Sequence, residues 1–361
     1  MEAPPEPQPS GDRLDRVLAD LGRAGTPRDA WDKHSIAASL FGDPEPERRI
    51  GRFKVIERIG RGGMGEVWAA LDEQLGRKVA IKLMQGQARP EDLLRFTREG
   101  RTLARLSHPN IVPIHEIGED GGAMYIAMEL LEGQTLAQWL TVPARTWQQR
   151  IGVLLEAGRG LQAAHEAGIV HRDFKPENVM VGSDGRVRVL DFGLARGLEH
   201  ELALARTPIS EAGVRSDGDG DEVTRTGALL GTPAYMAPEQ HAGERATAAS
   251  DQFSFCVVAF EALYGVRPFA GRDRAAIVEA MASGRVAEPA RRNVPRAVHR
   301  AIVRGLAIDP GARWPSMAPL LAALAHGIAP RRWPALALAT AAIAGAVVLA
   351  RSPESTPPPA P

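Results

Sequence analysis

The chain has 361 residues, 44% of them hydrophobic, enough for one large two-lobed domain or two ordinary ones with a substantial core. Its 44 Lys and Arg balance 44 Asp and Glu, and this zero net charge argues against a nucleic-acid binder held by bulk electrostatics. A single cysteine, Cys256, excludes an internal disulfide and suits a reducing compartment; it lies in the apolar run from Phe253 to Phe260 and reads as a core residue.

The start, Met1-Glu2-Ala3-Pro4-Pro5, has no positive charge and no apolar run, so no cleavable signal peptide is expected. Residues 1–52 read as a disordered or linker segment rich in Pro, Asp, Glu and Arg. Within it Arg13 to Ala24 has helical spacing, with Leu14, Val17, Leu18 and Leu21 on one face; a docking helix is the alternative reading. At Phe53 the texture changes. Phe53 to Ile59 alternates like a strand, Gly60-Arg61-Gly62-Gly63-Met64-Gly65-Glu66-Val67 follows, and Lys78 to Leu83 is a further strand. This glycine-rich run joins two strands with no helix opening behind it. That speaks against a dinucleotide fold and for a hairpin whose backbone N–H groups approach phosphate oxygens.

Pro90 to Leu106 has helical spacing, with Leu93, Phe96, Leu103 and Leu106 as its apolar stripe. Glu99 shares that face, and an inward carboxylate needs a partner; Lys82 is the candidate, with surface pairing to Arg98 or Arg101 as the alternative. Ile111 to Ile117 and Ala123 to Met128 read as strands. Thr135 to Leu140 opens a larger helical half, and Trp147 to Gly168 is a helix ended by its glycine, in which His165 reads as a packing residue.

His171-Arg172-Asp173-Phe174-Lys175-Pro176-Glu177-Asn178 comes next, then Val179-Met180-Val181, a turn at 182–185, Val187 to Leu190, and Asp191-Phe192-Gly193. Such a hairpin brings Asn178 and Asp191 together although they are thirteen positions apart, and two oxygen ligands meeting there suit Mg²⁺.

Residues 197–222 read as a flexible acidic insertion; the run Ser216 to Asp221 has calcium-loop spacing but lacks the distal glutamate. Ser250 to Leu263 is a strongly apolar helix, with Asp251 placed to cap it, and amphipathic helices are expected at 275–281, 298–306 and 317–324. Trp333 to Ala350 holds eighteen residues without a charge, about 27 Å as a helix against a bilayer core of about 30 Å. Arg331, Arg332 and Arg351 flank it. A membrane anchor with the preceding domain cytoplasmic is the expectation, an apolar helix docked on that domain the alternative, and 351–361 a Pro-rich tail.

The ordered set from His171 to Gly193 resembles the catalytic loop and metal-binding motif of the protein kinases, and Val79-Ala80-Ile81-Lys82 with the glycine-rich run extends the resemblance over about 53–327. Lys175 two positions after Asp173 is similar to the serine/threonine class, and the whole resembles the eukaryotic-like kinases of bacteria. Phe174 departs from the usual Leu, a like-for-like apolar change.

The resemblance implies an α+β, two-lobed protein kinase fold: a β-rich N-lobe at about 53–131, a helical C-lobe at about 132–327, and then the C-terminal apolar helix. Asp173 would accept or orient the proton of a substrate hydroxyl and Lys175 would neutralise the transferring phosphoryl. Asn178 and Asp191 would hold Mg²⁺, with Mn²⁺ as an alternative. ATP would lie against Ile59, Gly60, Arg61, Gly62, Gly63, Met64, Gly65, Glu66, Val67 and Ala80, with Lys82 on its α- and β-phosphates. Met128 resembles a gatekeeper, and Glu129 to Gly133, including Leu131, the hinge whose backbone bonds adenine. Glu99 resembles the glutamate that pairs with Lys82.

Gly231 to Glu239 is similar to the end of an activation segment. Thr224 and Thr226 stand where autophosphorylation is expected, with Arg172 as the phosphate's partner. Thr232 would contact Asp173 and Lys175, Asp251 would hold the catalytic loop's backbone, and Arg313 would pair with Glu239. The implied partners are protein Ser and Thr hydroxyls, a second copy for trans-autophosphorylation, and the membrane, but no nucleic acid. A binding module on the same fold is disfavoured by the presence of Lys82, Asp173 and Asp191. A small-molecule phosphotransferase is disfavoured by the Ala237-Pro238-Glu239 run.

Overall fold

The computed structural model describes residues 47–62, 65–84, 97–98, 100–193, 233–289 and 293–328. Its first half is a six-stranded antiparallel sheet of β1 (Arg49–Ile50), β2 (Phe53–Gly62), β3 (Gly65–Asp72), β4 (Arg77–Met84), β5 (Ile114–Asp120) and β6 (Ala123–Glu129), in the order β1-β2-β3-β4-β6-β5. Alternation along the strands decides what each face does. Val79, Ile81 and Leu83 of β4 and Ala123, Tyr125 and Ala127 of β6 pack with Ile50 and Phe53 in one core. Ala80, Met84, Met124, Ile126 and Met128 point the other way and join the core of the second half. Lys82 shares this second face, which puts its ammonium on the side toward the catalytic loop.

The two edges of the sheet are clasped by side chains. The Gly51 N–H donates to Asp120 Oδ2 at 3.1 Å. Arg52 donates to Glu116 Oε2 at 2.8 Å and to both oxygens of Asp72 at 2.8 and 3.0 Å. The Tyr125 hydroxyl donates to the other Glu116 oxygen at 2.7 Å. The sheet therefore begins before Phe53, and the linker expected to reach residue 52 is shorter: Ile50 is fully buried because β1 pairs with the start of β2. A second difference concerns Ile111 to Pro113, expected as strand. Their backbone turns to the other half instead, with Val112 N–H donating to Val189 O at 3.0 Å and Val189 N–H to Asn110 O at 2.9 Å, so β5 starts only at Ile114.

Residues 97–98 and 100–104 are helical, within the helix expected over 90–106. The second half holds α1 (Leu136–Leu140), α2 (Trp147–Glu166), α3 (Pro238–His241), α4 (Ala248–Tyr264), α5 (Arg274–Ala282), α6 (Arg296–Gly305) and α7 (Met317–Ile328). It also holds a small sheet of β7 (Gly133–Thr135), β8 (Val179–Gly182) and β9 (Val187–Val189). Thr146 and Gln149 form a reciprocal capping box at the start of α2. At its end Gly168, with φ of 76°, sits past the last turn. Its N–H donates to His165 O while Ile169 N–H reaches back to Ala164 O, the paired bonds of a Schellman motif.

α4 is buried along almost its whole length, and α2 crosses it at Gly158, where any side chain would meet Phe255 and Leu321. Among the described residues no helix is long and apolar enough to cross a membrane; the expected anchor at 333–350 lies outside them.

Candidate active site

The end of α2 sets the entry of the loop from Ile169 to Asn178, and α4 holds it from below. Asp251, in the first turn of α4, accepts the His171 N–H at 2.7 Å and the Arg172 N–H at 2.8 Å, while the His165 ring donates to Asp251 Oδ2 at 2.7 Å. Thr247 is the N-cap of α4, so Asp251 is spent on the loop rather than on its own helix end. Arg172 takes φ of 68°, a left-handed conformation costly for a residue with a side chain. The Asp251 bond to its N–H and the Gln240 amide donating to its carbonyl at 3.0 Å hold it there.

His171 is fully buried. Its Nε2–H donates to Leu190 O at 2.8 Å and its Nδ1 accepts the Asp173 N–H at 3.3 Å, which fixes one neutral tautomer. Burial holds its pKa below the ordinary imidazole value. The ring also packs edge-on against Phe174 and tilted against Phe192.

The chemistry-bearing groups converge above this support. Lys175 Nζ lies 2.8 Å from Asp173 Oδ2. The Asn178 amide donates to Asp173 O at 2.8 Å and approaches Asp173 Oδ2 at 3.4 Å. The hairpin closes with Leu190 N–H donating to Asn178 O at 2.8 Å, which sets Asn178 opposite the residue before Asp191 at its open end. Asp191 has φ of 53°, and Gly193 N–H donates to His171 O at 2.8 Å, tying the segment after the hairpin to the loop. Lys82 reaches across from the first sheet to Asp191, Nζ to Oδ1 at 3.0 Å.

Among the described residues no three His, Cys, Asp or Glu side chains cluster as a complete protein cage for a metal. The donor set fits a divalent cation of the magnesium kind, which takes one or two protein oxygens and completes its shell with phosphate and water. Asn178 commits its amide N–H to Asp173, which leaves its amide oxygen as the donor atom a cation would use.

The glycine-rich run belongs to strands β2 and β3 of the first sheet, and Val67, opposite Lys82, shares its face. Gly60 pairs with Val67, Arg61 with Glu66 and Gly62 with Gly65, while Val67 in turn pairs with Lys82 and Ala80 with Met128. Gly65, with φ of 150°, passes so close to the Leu83 carbonyl oxygen that a Cβ has no room. Glu66 is buried and turned to Arg58 at 3.3 Å and Arg61 at 3.8 Å, and Ile59 is half exposed. The segment expected as the hinge starts at Glu129, whose N–H donates to Pro113 O at 3.0 Å, and Leu130 and Leu131 pack partly against the core. Gly63, Met64, Glu99, Thr224, Thr226 and Thr232 lie outside the described residues.

Glu239 and Arg313 form a buried bidentate pair, both N···O distances 2.8 Å. Arg313 donates its remaining N–H groups to the carbonyls of Ala307, Ala249 and Ile308. Burial works to raise the Glu239 pKa, but hydrogen bonds from Arg313 and Ser250 prevail and hold it below the ordinary carboxylate value.

Three supporting residues carry no signal that motif reading would catch. His165 holds Asp251, Gln240 holds Arg172, and Asn110 donates to Val187 O at 2.8 Å. Each acts across a long sequence separation.

The description "Protein kinase domain" belongs to the family whose profile matches residues 53–323. Serine/threonine-protein kinase PknA of Mycobacterium tuberculosis (strain ATCC 25177 / H37Ra) is 37% identical over 290 residues, covering 78% of this chain and 62% of PknA. A probable serine/threonine-protein kinase PknB of Lactococcus lactis subsp. lactis is 35% identical over 283 residues, covering 76% of this chain and 42% of that one. The chain thus spans less than two thirds of the length of these relatives. The crystal structure of the Mycobacterium tuberculosis PknI kinase domain superposes with a TM-score of 0.59 over 79% of this chain and all of that one, at 24% identity, a likeness of fold alone. With its two lobes, its clamped catalytic loop and a profile match over three quarters of its length, this chain belongs to the protein kinase domain family.

Proposed function

We propose that the chain is a serine/threonine protein kinase that transfers the γ-phosphoryl of ATP to protein Ser and Thr hydroxyls. One observation carries the reading: Lys82 from one lobe pairs with Asp191 of the other at 3.0 Å, Asp173 is held by Lys175 and Asn178 at 2.8 Å, and the Leu190 N–H bond to Asn178 O at 2.8 Å ties the two groups through the hairpin between them. Asp173 orients the attacking hydroxyl and takes its proton. Lys175 offsets charge on the phosphoryl oxygens. Lys82 holds the α- and β-phosphates, and the backbone of 60–67 covers them. Asn178 and Asp191 hold the divalent cation, Mg²⁺ or Mn²⁺, which supplies charge neutralisation on the phosphates. Ile59, Val67 and Ala80 enclose adenine, and the Glu129 and Leu131 backbone bonds it. The relatives' names as serine/threonine kinases support the substrate class.

In the same reading, Thr224, Thr226 or both are autophosphorylated between two copies and Arg172 receives the phosphate; Glu99 pairs with Lys82, and Thr232 shapes the substrate groove. The stretch 333–350 anchors the chain in a bilayer, supported by its uncharged sequence and flanking arginines.

Incubation of the full chain with labelled ATP, Mg²⁺ and a generic protein substrate tests the reading, with Asp173→Ala as control. Label on Ser and Thr in the wild type and none in the variant is the expected result; equal label in both defeats it. Phosphosite mapping and alkali extraction of membranes from the same sample test the threonines and the anchor.

A further inference from the structure

Arg188 stands at the middle of β9, opposite Met180, and only 8% of it is exposed. A guanidinium taken out of water in a three-residue strand needs anionic partners. It has two, from different parts of the chain. Its Nη2 lies 3.0 Å from Asp184 Oδ2 and its Nη1 3.4 Å from Asp184 Oδ1, in the hairpin turn. The same Nη2 lies 3.9 Å from Glu129 Oε1, at the end of β6 where the hinge begins. The Asp184 carboxyl is held below its ordinary pKa, first by the Arg188 hydrogen bond and then by the Arg186 N–H. Gly182 leaves the space: a Cβ there would run into Asp184 Oδ1 and come within 3.3 Å of Arg188 Nη1.

We propose that Arg188 is a positioning residue that braces the hinge against the hairpin, and so fixes the distance between the two ends of the nucleotide site. Glu129 marks the adenine end and Asp191, three residues past Arg188, the phosphate end; this assignment rests on the kinase reading above. Asp184 orients the guanidinium, and its reach to Glu129 couples the lobes. The brace touches neither hydroxyl nor phosphoryl, so its loss weakens nucleotide binding in ground and transition state alike. Such a loss raises KM and leaves kcat in place.

The test uses the full chain with ATP and Mg²⁺, measuring KM for ATP, kcat and direct ATP affinity by calorimetry. Arg188→Met should raise KM and Kd for ATP by about three- to tenfold, in line with about 0.7 to 1.4 kcal/mol, and change kcat less than about twofold. Arg188→Lys should recover part of the loss. Glu129→Gln should raise KM in the same direction, and adding it to Arg188→Met should cost nothing further. A melting temperature that falls while KM stays put makes Arg188 merely structural and overturns the proposal, as do fully additive effects. Should Arg188→Met fail to fold, Glu129→Gln with wild-type KM overturns it alone. Wild type that binds no ATP sinks the kinase reading with it; wild type that binds ATP alongside unaffected variants sinks only the brace.

Discussion

His165 and Asp251 meet at 2.7 Å, ring nitrogen to carboxylate, although 86 positions separate them. The bond spends part of one Asp251 oxygen, while the His171 and Arg172 N–H groups take the rest. His165→Phe removes a hydrogen bond to a charged group, typically about 1.5 to 3 kcal/mol, and frees the carboxylate to tilt. The expected outcome is a lower melting temperature and a lower kcat with little change in KM for ATP. Steady-state kinetics and thermal unfolding check it; unchanged kcat would remove His165 from the loop's support.

The Arg313–Glu239 pair gives a prediction with a sign reversal. Arg313→Met strands a buried carboxylate and should cost about 3 to 5 kcal/mol in denaturant unfolding. Adding Glu239→Leu removes the stranded charge, so the double variant should be more stable than Arg313→Met alone. A double variant less stable than both singles would contradict the desolvation account.

The same pair sets a pH dependence. The folded pKa of Glu239 lies below the unfolded value of 4.5, so the native state binds fewer protons in that range. Its contribution is fully present above about pH 4.5 and is lost as pH falls through the lowered folded value. Unfolding free energy measured from pH 7 to pH 3 should therefore fall more steeply in wild type than in Glu239→Gln. Parallel curves would show that Glu239 titrates alike in both states.

Substitutions at the reacting end should spare the fold. Asp173→Asn and Lys82→Met each replace a largely buried charge with a side chain of similar size. Phosphoryl transfer should drop by about 10² to 10⁴ while the melting temperature moves by only a few degrees. Retention of more than a tenth of wild-type kcat in either would reject its assigned role.

Gly65→Ala tests the hairpin. Backbone φ of 150° and the adjoining Leu83 carbonyl leave no room for a methyl group, so the β3–β4 pairing must shift. The expected result is raised KM for ATP together with lost stability, read by nucleotide titration and melting. Gly60→Ala, whose Cβ would make ordinary contacts with Val67, should be milder.

What the sequence disclosed and what it withheld divides by the range of the contact. The hairpin that carries Asn178 at one end and Asp191 just past the other was legible because it has its own alternation and turn residues. The span of α2 was legible from its local apolar spacing and its closing Gly168, while the capping box at its start shows only in the structure. His165 read only as packing, because its partner arrives from another helix. Arg188 carried no signal, since a lone arginine in a strand reads as solvated until Asp184 and Glu129 surround it. Ile111 to Pro113 have the composition of a strand, but β9 competes for their backbone and wins.

The clasp of Gly51 and Arg52 onto Asp120, Asp72 and Glu116 has a practical corollary. The family match begins at Phe53, just past both residues, and so cuts it off. A recombinant fragment cut there would discard the buckle and leave the Asp72 carboxylate, wholly shielded from water in the intact lobe, with only the more distant Arg77 at 3.8 Å in place of the Arg52 pair. Expression boundaries for this enzyme fold are better drawn upstream of Glu47, where the last of these ties, its bonds to Lys54 and Arg49, is preserved.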